Sequence, residues 1–251
     1  MEKYKIIILT IIVVSSFAYG QNKTIVPVSG TIVFVKKDSI KDQKLHIQSF
    51  RDLQPKFIKA LKEEIYLERL TDGKKTDTTQ LNKMAVELAK AYEFVLTEKD
   101  DRILKYHCIY ENEKISKFLE VNGSEYDLIY INSKTNTIID KNNQSVDYEN
   151  LQSEIIDLKE FKNEIKIING YSCYKIVYQY KITSESDFEQ LSKITTNKRE
   201  LWVTDKIKSL YHPVINDFQI LERYYPLKII EYSDELKGFQ TYYTLEKFDL
   251  K

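Results

Sequence analysis

The sequence predicts an α+β chain that is mainly β, a strongly curved antiparallel sheet forming a half or partial β-barrel, with two packed helices. Three observations predict it. From about residue 93 to the C-terminus, apolar residues recur with a period of two, the spacing that buries one face of a strand. Turn-forming residues cut that pattern into short lengths, as hairpin-linked antiparallel strands require. Between Arg51 and Tyr92 the period lengthens to three and four, which is the mark of amphipathic helices.

The chain opens with Lys3 and Lys5 ahead of an apolar stretch, Ile6 to Val14, broken only by Thr10. Ala18-Tyr19-Gly20 then offers the small-x-small pattern of a signal-peptidase site, so residues 1–20 are expected to be a signal peptide and the mature chain to begin at Gln21 in the periplasm or outside the cell. The apolar run falls short of the roughly 20 residues a membrane span needs. No second run approaches that length, so no transmembrane span is expected in the mature chain, and no cysteine near the cut offers a lipid acceptor. The remaining 21–251 fit a single β-rich domain with a helical insertion at about 51–92.

A first strand, Thr31 to Val35, follows the Ser29-Gly30 turn signal. Leu53, Phe57, Leu61 and Ile65 then recur every four residues, with Pro55 read as lying in a first helical turn. Leu81, Met84, Ala85, Leu88, Ala89 and Tyr92 give a second stripe beyond a loop containing Gly73. Tyr92 to Thr97 and Ile103 to Tyr110 read as a hairpin around Lys99-Asp100-Asp101, and Tyr126 to Asn132 with Thr135 to Asp140 repeat the theme. Asn169-Gly170 is read as the strongest short turn signal, joining Glu164–Ile168 to Tyr171–Ile182. Within the latter, Tyr174, Ile176, Tyr178, Tyr180 and Ile182 share one face and Cys173 and Val177 the other. Arg199–Thr204, Leu227–Tyr232 and Phe239–Asp249 complete the strands.

Charge is balanced, with 38 basic and 38 acidic residues, which excludes a strongly basic footprint and argues against a nucleic-acid partner. The chain lacks a G-x-S-x-G elbow, an H-E-x-x-H zinc motif and a phosphate-cradling glycine loop. His46, His107 and His212 are far apart and lack ligand neighbours at metal spacing, so no metal, cofactor or catalytic residue is expected. His107 and Cys108 are adjacent in a strand and therefore project to opposite faces, which denies them a nucleophile–base pairing. Cys108 and Cys173 are left with two open outcomes, one disulfide or two buried free thiols. The candidate ligand-facing residues are the single tryptophan, Trp202, with Tyr178, Tyr180, Tyr225 and Tyr243, although alternating sheet packing also accounts for each.

The segments Ile168-Asn169-Gly170-Tyr171-Ser172-Cys173-Tyr174-Lys175, Glu200-Leu201-Trp202-Val203-Thr204-Asp205-Lys206-Ile207 and Tyr225-Pro226-Leu227-Lys228-Ile229-Ile230, behind an opening Ser29-Gly30-Thr31-Ile32-Val33-Phe34, carry a family pattern. In their order the chain resembles GLPGLI-type secreted proteins of Bacteroidota. It departs from them in lacking the namesake loop, with no glycine between Gly170 and Gly238, which marks a divergent member or a neighbouring family. The resemblance implies a half-barrel similar to periplasmic lipoprotein carriers, and it carries over no functional residue.

The function expected is therefore that of an exported non-enzymatic envelope protein holding a lipid or other hydrophobic small molecule on a curved sheet. The alternatives are an envelope protein-protein interaction module, docking through a sheet edge or the polar Ser184–Asn197 segment, and a hydrolase with a dispersed site.

Overall fold

The computed structural model describes residues 24–71, 77–97, 102–139, 145–148, 154–181 and 196–251. The expected signal peptide, the Gly73 loop, the Lys99–Asp101 turn, Ile182 and nearly all of the Ser184–Asn197 segment lie outside the described residues.

Eleven strands form one antiparallel sheet. In chain order they are β1 (Ser29–Ile40), β2 (Leu104–Glu111), β3 (Lys114–Val121), β4 (Ser124–Asn132), β5 (Thr137–Ile139), β6 (Ser145–Asp147), β7 (Glu154–Ile168), β8 (Tyr171–Lys181), β9 (Asn197–Thr204), β10 (Tyr225–Ser233) and β11 (Phe239–Leu250). Their spatial order is β6-β5-β4-β3-β2-β1-β11-β10-β9-β8-β7. Two meanders thus run outward from a central seam, where β1 pairs with β11 from Gly30↔Leu250 to Ile40↔Phe239.

The chain length between the two edge strands forces the sheet to bend. Laid flat, β6 and β7 would be ten strand spacings of about 4.8 Å, or about 48 Å, apart. Only six residues separate Asp147 from Glu154, and that much chain reaches at most about 25 Å. The edges must therefore curl towards each other, although the sheet does not close. Bulges at Val33/Phe34, Lys117/Leu119, Phe161/Ile165 and Pro226/Lys228 supply local bending.

Asn169-Gly170 makes the expected tight turn, with both residues at positive φ, 48° and 82°. The same dipeptide at Asn122-Gly123 makes the same turn, φ 50° and 87°, between β3 and β4. β3 itself had no clean period-two signal, because Lys117 occupies one of its inward positions.

Helices α1 (Gln43–Thr71) and α2 (Thr78–Thr97) form the insertion between β1 and β2, longer at both ends than the periodicity predicted. Asp42 accepts the Leu45 N–H at 3.0 Å and so caps α1. Its first turns hid because two of their buried positions are the polar His46 and Ser49. Pro55 consequently sits in the interior of α1, not in its first turn, and removes one ladder hydrogen bond there. Residues 92–97, expected as a strand, continue α2; a short apolar run with β-branched Val95 reads either way without its neighbours. β2 finds its partners in β1 and β3 instead.

The two helices share a core of their own. Phe50, Phe57, Leu61 and Ile65 of α1 pack with Leu81, Ala85 and Ala89 of α2, and Leu236 of the β10–β11 turn joins them. The small Ala85 and Ala89, both fully buried, allow close approach of the helix axes, while Leu88 of the predicted stripe is exposed. The pair is tied to that turn by Lys41 N–H to Gly238 O at 2.7 Å and by His46 stacked on Phe239 at 5.3 Å. No described helix is long and apolar enough to cross a membrane.

Candidate functional site

The concave face is occupied by the chain's own β9–β10 connection, residues 205–224, which contains the one-turn helix α3 (Phe218–Leu221). This plug touches strands across most of the sheet. His212 packs on Phe34 of β1, ring centroids 4.9 Å apart. Tyr110 of β2 donates to Tyr211 O at 2.5 Å, Lys117 of β3 to Asn216 Oδ1 at 2.6 Å, and Tyr178 of β8 to Asp217 Oδ2 at 2.6 Å. Tyr224 reaches Glu160 of β7. One short segment can bridge β3 and β7 only from inside a curved sheet.

Asp217 anchors the plug electrostatically. Arg199 Nη1 lies 2.9 Å from Asp217 Oδ2, and its Nε lies 3.1 Å from Glu231 Oε2. The guanidinium also lies over the Tyr180 ring at 4.2 Å, and the Tyr180 hydroxyl donates to Glu231 at 2.8 Å. Among the described residues Asp217 Oδ1 is buried without a hydrogen-bond partner, so the Arg199 contact is its main compensation.

His212 organises the backbone of the plug. Its Nδ1 accepts the N–H groups of Val214 and Ile215, both at 3.1 Å, which leaves the proton on Nε2 to be donated to Pro226 O at 3.0 Å. Burial, the Lys117 ammonium and the Arg199 guanidinium all oppose a second proton, and the imidazole pKa is lowered to about 3.

Of the candidate ligand-facing residues, Tyr178, Tyr180, Tyr225 and Tyr243 are buried and belong to one core cluster. Tyr178 meets Asp217, and Tyr225 packs edge-on to His212 at 5.2 Å. A ligand reaches these two only by displacing the plug. Trp202 is also buried and in the same cluster, but it alternates with the inward Leu201 and Val203 and therefore faces the other way. Its ring is covered by Lys166 Nζ at 3.8 Å and its N–H is donated to Glu200 at 3.1 Å.

Cys108 and Cys173 are both free thiols, which removes the disulfide outcome. The pairings place Cys108 on the face of Ile32, Phe34, Leu201 and Ile176, whereas Cys173, three residues from Ile176, is on the opposite one. Five strand spacings, about 24 Å along the sheet, separate them, and a disulfide needs Cα atoms within about 7 Å. Burial pushes each thiol up to about 12. At pH 8 the native protein is therefore expected to leave both thiols unmodified by an aromatic disulfide reagent, and to react at both once denatured. Non-reducing mass spectrometry that found a bonded fraction would overturn this.

The open space is elsewhere, at the end of the sheet that carries Gly30 and the β2–β3 turn. A cleft of about 600 Å³ opens there. Its apolar walls come from Val26, Val28, Ile115, Leu210 and Leu221, and Tyr110 and Tyr211 stand beside them. The N-terminal segment forms one lip because both its sides are bonded. Ile25 N–H is donated to Lys206 O at 2.7 Å and Ile25 O accepts from Lys208 N–H at 2.8 Å. Val28 is held in turn between Lys251 and Asn112, each at 2.7 Å. Val26 and Val28 remain 66% and 54% exposed, so the lip presents apolar surface to the cleft mouth. Lys208, Glu113 and Glu222 provide a charged rim.

No family model matches the chain, and searches of curated proteins and of solved structures return no significant match.

The cleft's polar groups are Ser, Tyr, Asn and rim charges, and its lining includes neither histidine nor cysteine. Ser209 Oγ is already engaged with Tyr110 and with the Tyr211 backbone. Among the described residues no cluster of His, Cys, Asp or Glu is arranged to hold a metal. The three histidines lie apart: His46 on α1, His212 in the plug, and His107 on the outer face against Phe118, ring centroids 4.3 Å apart, with Glu120 at 2.9 Å. What the arrangement offers chemically is apolar shelter with a polar entrance. Sequence reasoning missed it because the walls come from four separate stretches that share no period.

Proposed function

We propose that this is an exported, non-enzymatic envelope protein that shelters a small hydrophobic ligand, such as an acyl chain, in the cleft beside Val26 and Val28. The cleft carries this reading. Its volume falls within the range of small-molecule sites, about 300–1,000 Å³, and its make-up follows their rule of apolar walls with a few polar groups. Lys208 at the rim suits a carboxylate or phosphate head while the chain lies against Leu210 and Ile115. Kinship with GLPGLI-type secreted proteins and with lipoprotein-carrier half-barrels belongs to the same proposal. So does export by residues 1–20.

The test is organic extraction of protein purified from its native host, followed by mass spectrometry. One dominant lipid-like species is expected, well above that carried by an unrelated exported protein. Leu210→Arg, which places a charge in the cleft wall, is expected to lower the recovered species at least tenfold, with Val86→Arg on the exposed side of α2 as a control that leaves it unchanged. An extract indistinguishable from the unrelated protein's sinks the reading.

A further inference from the structure

Among the described residues β7 is an edge strand, and an unusual one. It is 15 residues long, whereas the opposite edge, β6, has three. Long edges expose unpaired N–H and C=O groups and invite pairing with another chain. β7 also exposes three large apolar side chains, Ile156 at 48% and Ile165 and Ile167 at 62% each.

We infer that β7 pairs antiparallel with β7 of a second copy of this chain, making a two-fold dimer with a continuous sheet. The argument is self-complementarity. With Leu158 set opposite the partner's Ile165, Asp157 falls opposite Lys166, Lys159 opposite Glu164, and Ile156 opposite Ile167. In the two arms on either side of the axis apolar residues meet apolar ones and each charge meets its opposite, while the central Glu160 and Phe161 fall opposite Asn163 and Lys162; the two-fold axis repeats every pair.

The faces agree as well. Leu158 is paired with Tyr178 and Ile165 with Tyr174, so both project to the concave side. Asp157, Lys159 and Lys166, paired with Gln179, Val177 and Cys173, project to the other. Glu164 reaches Lys175 at 2.7 Å on that same outer side. Residues directly opposite in an antiparallel pair share a face, and these do.

The neighbouring registers that keep the faces are disfavoured by charge. A slip of two residues one way sets Asp157 against Glu164 and Lys159 against Lys162; the slip the other way sets Lys159 against Lys166. Like charges directly opposite are destabilising, so one register is selected. The bulge between Phe161 and Ile165 falls at the two-fold axis, and the second shift in β7, between Ile155 and Asp157, lies at the far end of the arm, so Asp157 to Lys159 and Glu164 to Lys166 are the regular segments that meet.

Sedimentation of the mature chain from 1 to 100 µM tests this. A concentration-dependent shift to twice the monomer mass is expected. Lys159→Glu and Glu164→Lys should each raise the dissociation constant at least tenfold, and the double charge swap Lys159→Glu/Glu164→Lys should restore it, because the swapped pair is again complementary. Lys159 is 67% exposed, so near-UV circular dichroism should show its variant folded. Independently of any variant, amide exchange across 156–167 should slow as concentration rises. A chain that stays monomeric at 100 µM, a dimer that both single reversals leave intact, or exchange in β7 that ignores concentration would each overturn the inference.

Discussion

Arg199→Met is expected to destabilise the protein by about 4 kcal/mol, read as a fall in the urea midpoint at unchanged slope. The guanidinium neutralises Asp217 and Glu231 together while stacking on Tyr180. Asp217 is the critical partner because its side chain is 1% exposed. Without Arg199 it keeps only the Tyr178 hydroxyl, and a buried carboxylate so stranded costs about 3–5 kcal/mol. Against a total stability of roughly 5–15 kcal/mol, that brings the fold close to its margin. The double variant Arg199→Met/Asp217→Asn should recover part of the loss, since the uncompensated charge is then gone. A single-variant loss below about 1 kcal/mol would mean that water reaches the cluster and screens it.

The same substitution tests how the plug is held. Asp217 is the plug's charged contact with β8 and β9, so weakening it should loosen residues 205–224 before the sheet melts. Tyr178 and Tyr180 would then become accessible, and an apolar dye should bind the variant more strongly than the parent. In that state the candidate tyrosines could meet a ligand, which they cannot do while the plug is seated.

The parts of the fold that were legible are those where one local rule decides. β8 reads cleanly because inward Tyr174, Ile176, Tyr178 and Tyr180 alternate with outward positions without interruption, and Asn169-Gly170 fixes its turn. β3 is not legible because Lys117 is buried beside Tyr148 and reaches Asn216, which puts a lysine where the pattern demands an apolar residue. The start of α1 was lost for a similar reason at His46 and Ser49, and the end of α2 because an apolar run is neutral between helix and strand until tertiary contacts choose. The curvature was legible as a tendency; its cause is the short chain between β6 and β7, a topological fact that no window of sequence contains.

The plug was the costliest omission. Residues 205–224 carry no period of two or of 3.6, so they read as loop, yet Ile207, Leu210, Tyr211, Val214, Ile215, Ile220 and Leu221 crowd them. A hairpin connection usually takes two to five residues. A connection four times as long and rich in aliphatic residues must bury itself somewhere, and that signal was available. It shifts the candidate site from the tyrosines of the sheet to the cleft left between plug and N-terminal segment.

The second large effect expected is acid lability through His212. In the folded protein this imidazole stays neutral to about pH 3, whereas the unfolded chain takes up a proton near the ordinary imidazole value of about 6.5. Above pH 6.5 both states are neutral there and His212 contributes no pH dependence. Between 6.5 and 3 the unfolded state binds the extra proton, so stability falls as pH falls, by up to about 1.4 kcal/mol per pH unit and about 5 kcal/mol over the window. Urea midpoints of the parent and of His212→Gln, measured from pH 7.5 to 5 where ordinary carboxylates are still ionised, give the upper part of this slope by difference, because His46 and His107 are common to both. His212→Gln should be less stable than the parent at pH 7.5, having lost the bonds to Val214, Ile215 and Pro226, but it should lose less on going to pH 5. A Cε1 resonance of His212 that titrates with a midpoint between 6 and 7 in the folded protein would show that the ring is hydrated, and with it that the plug does not seal the concave face.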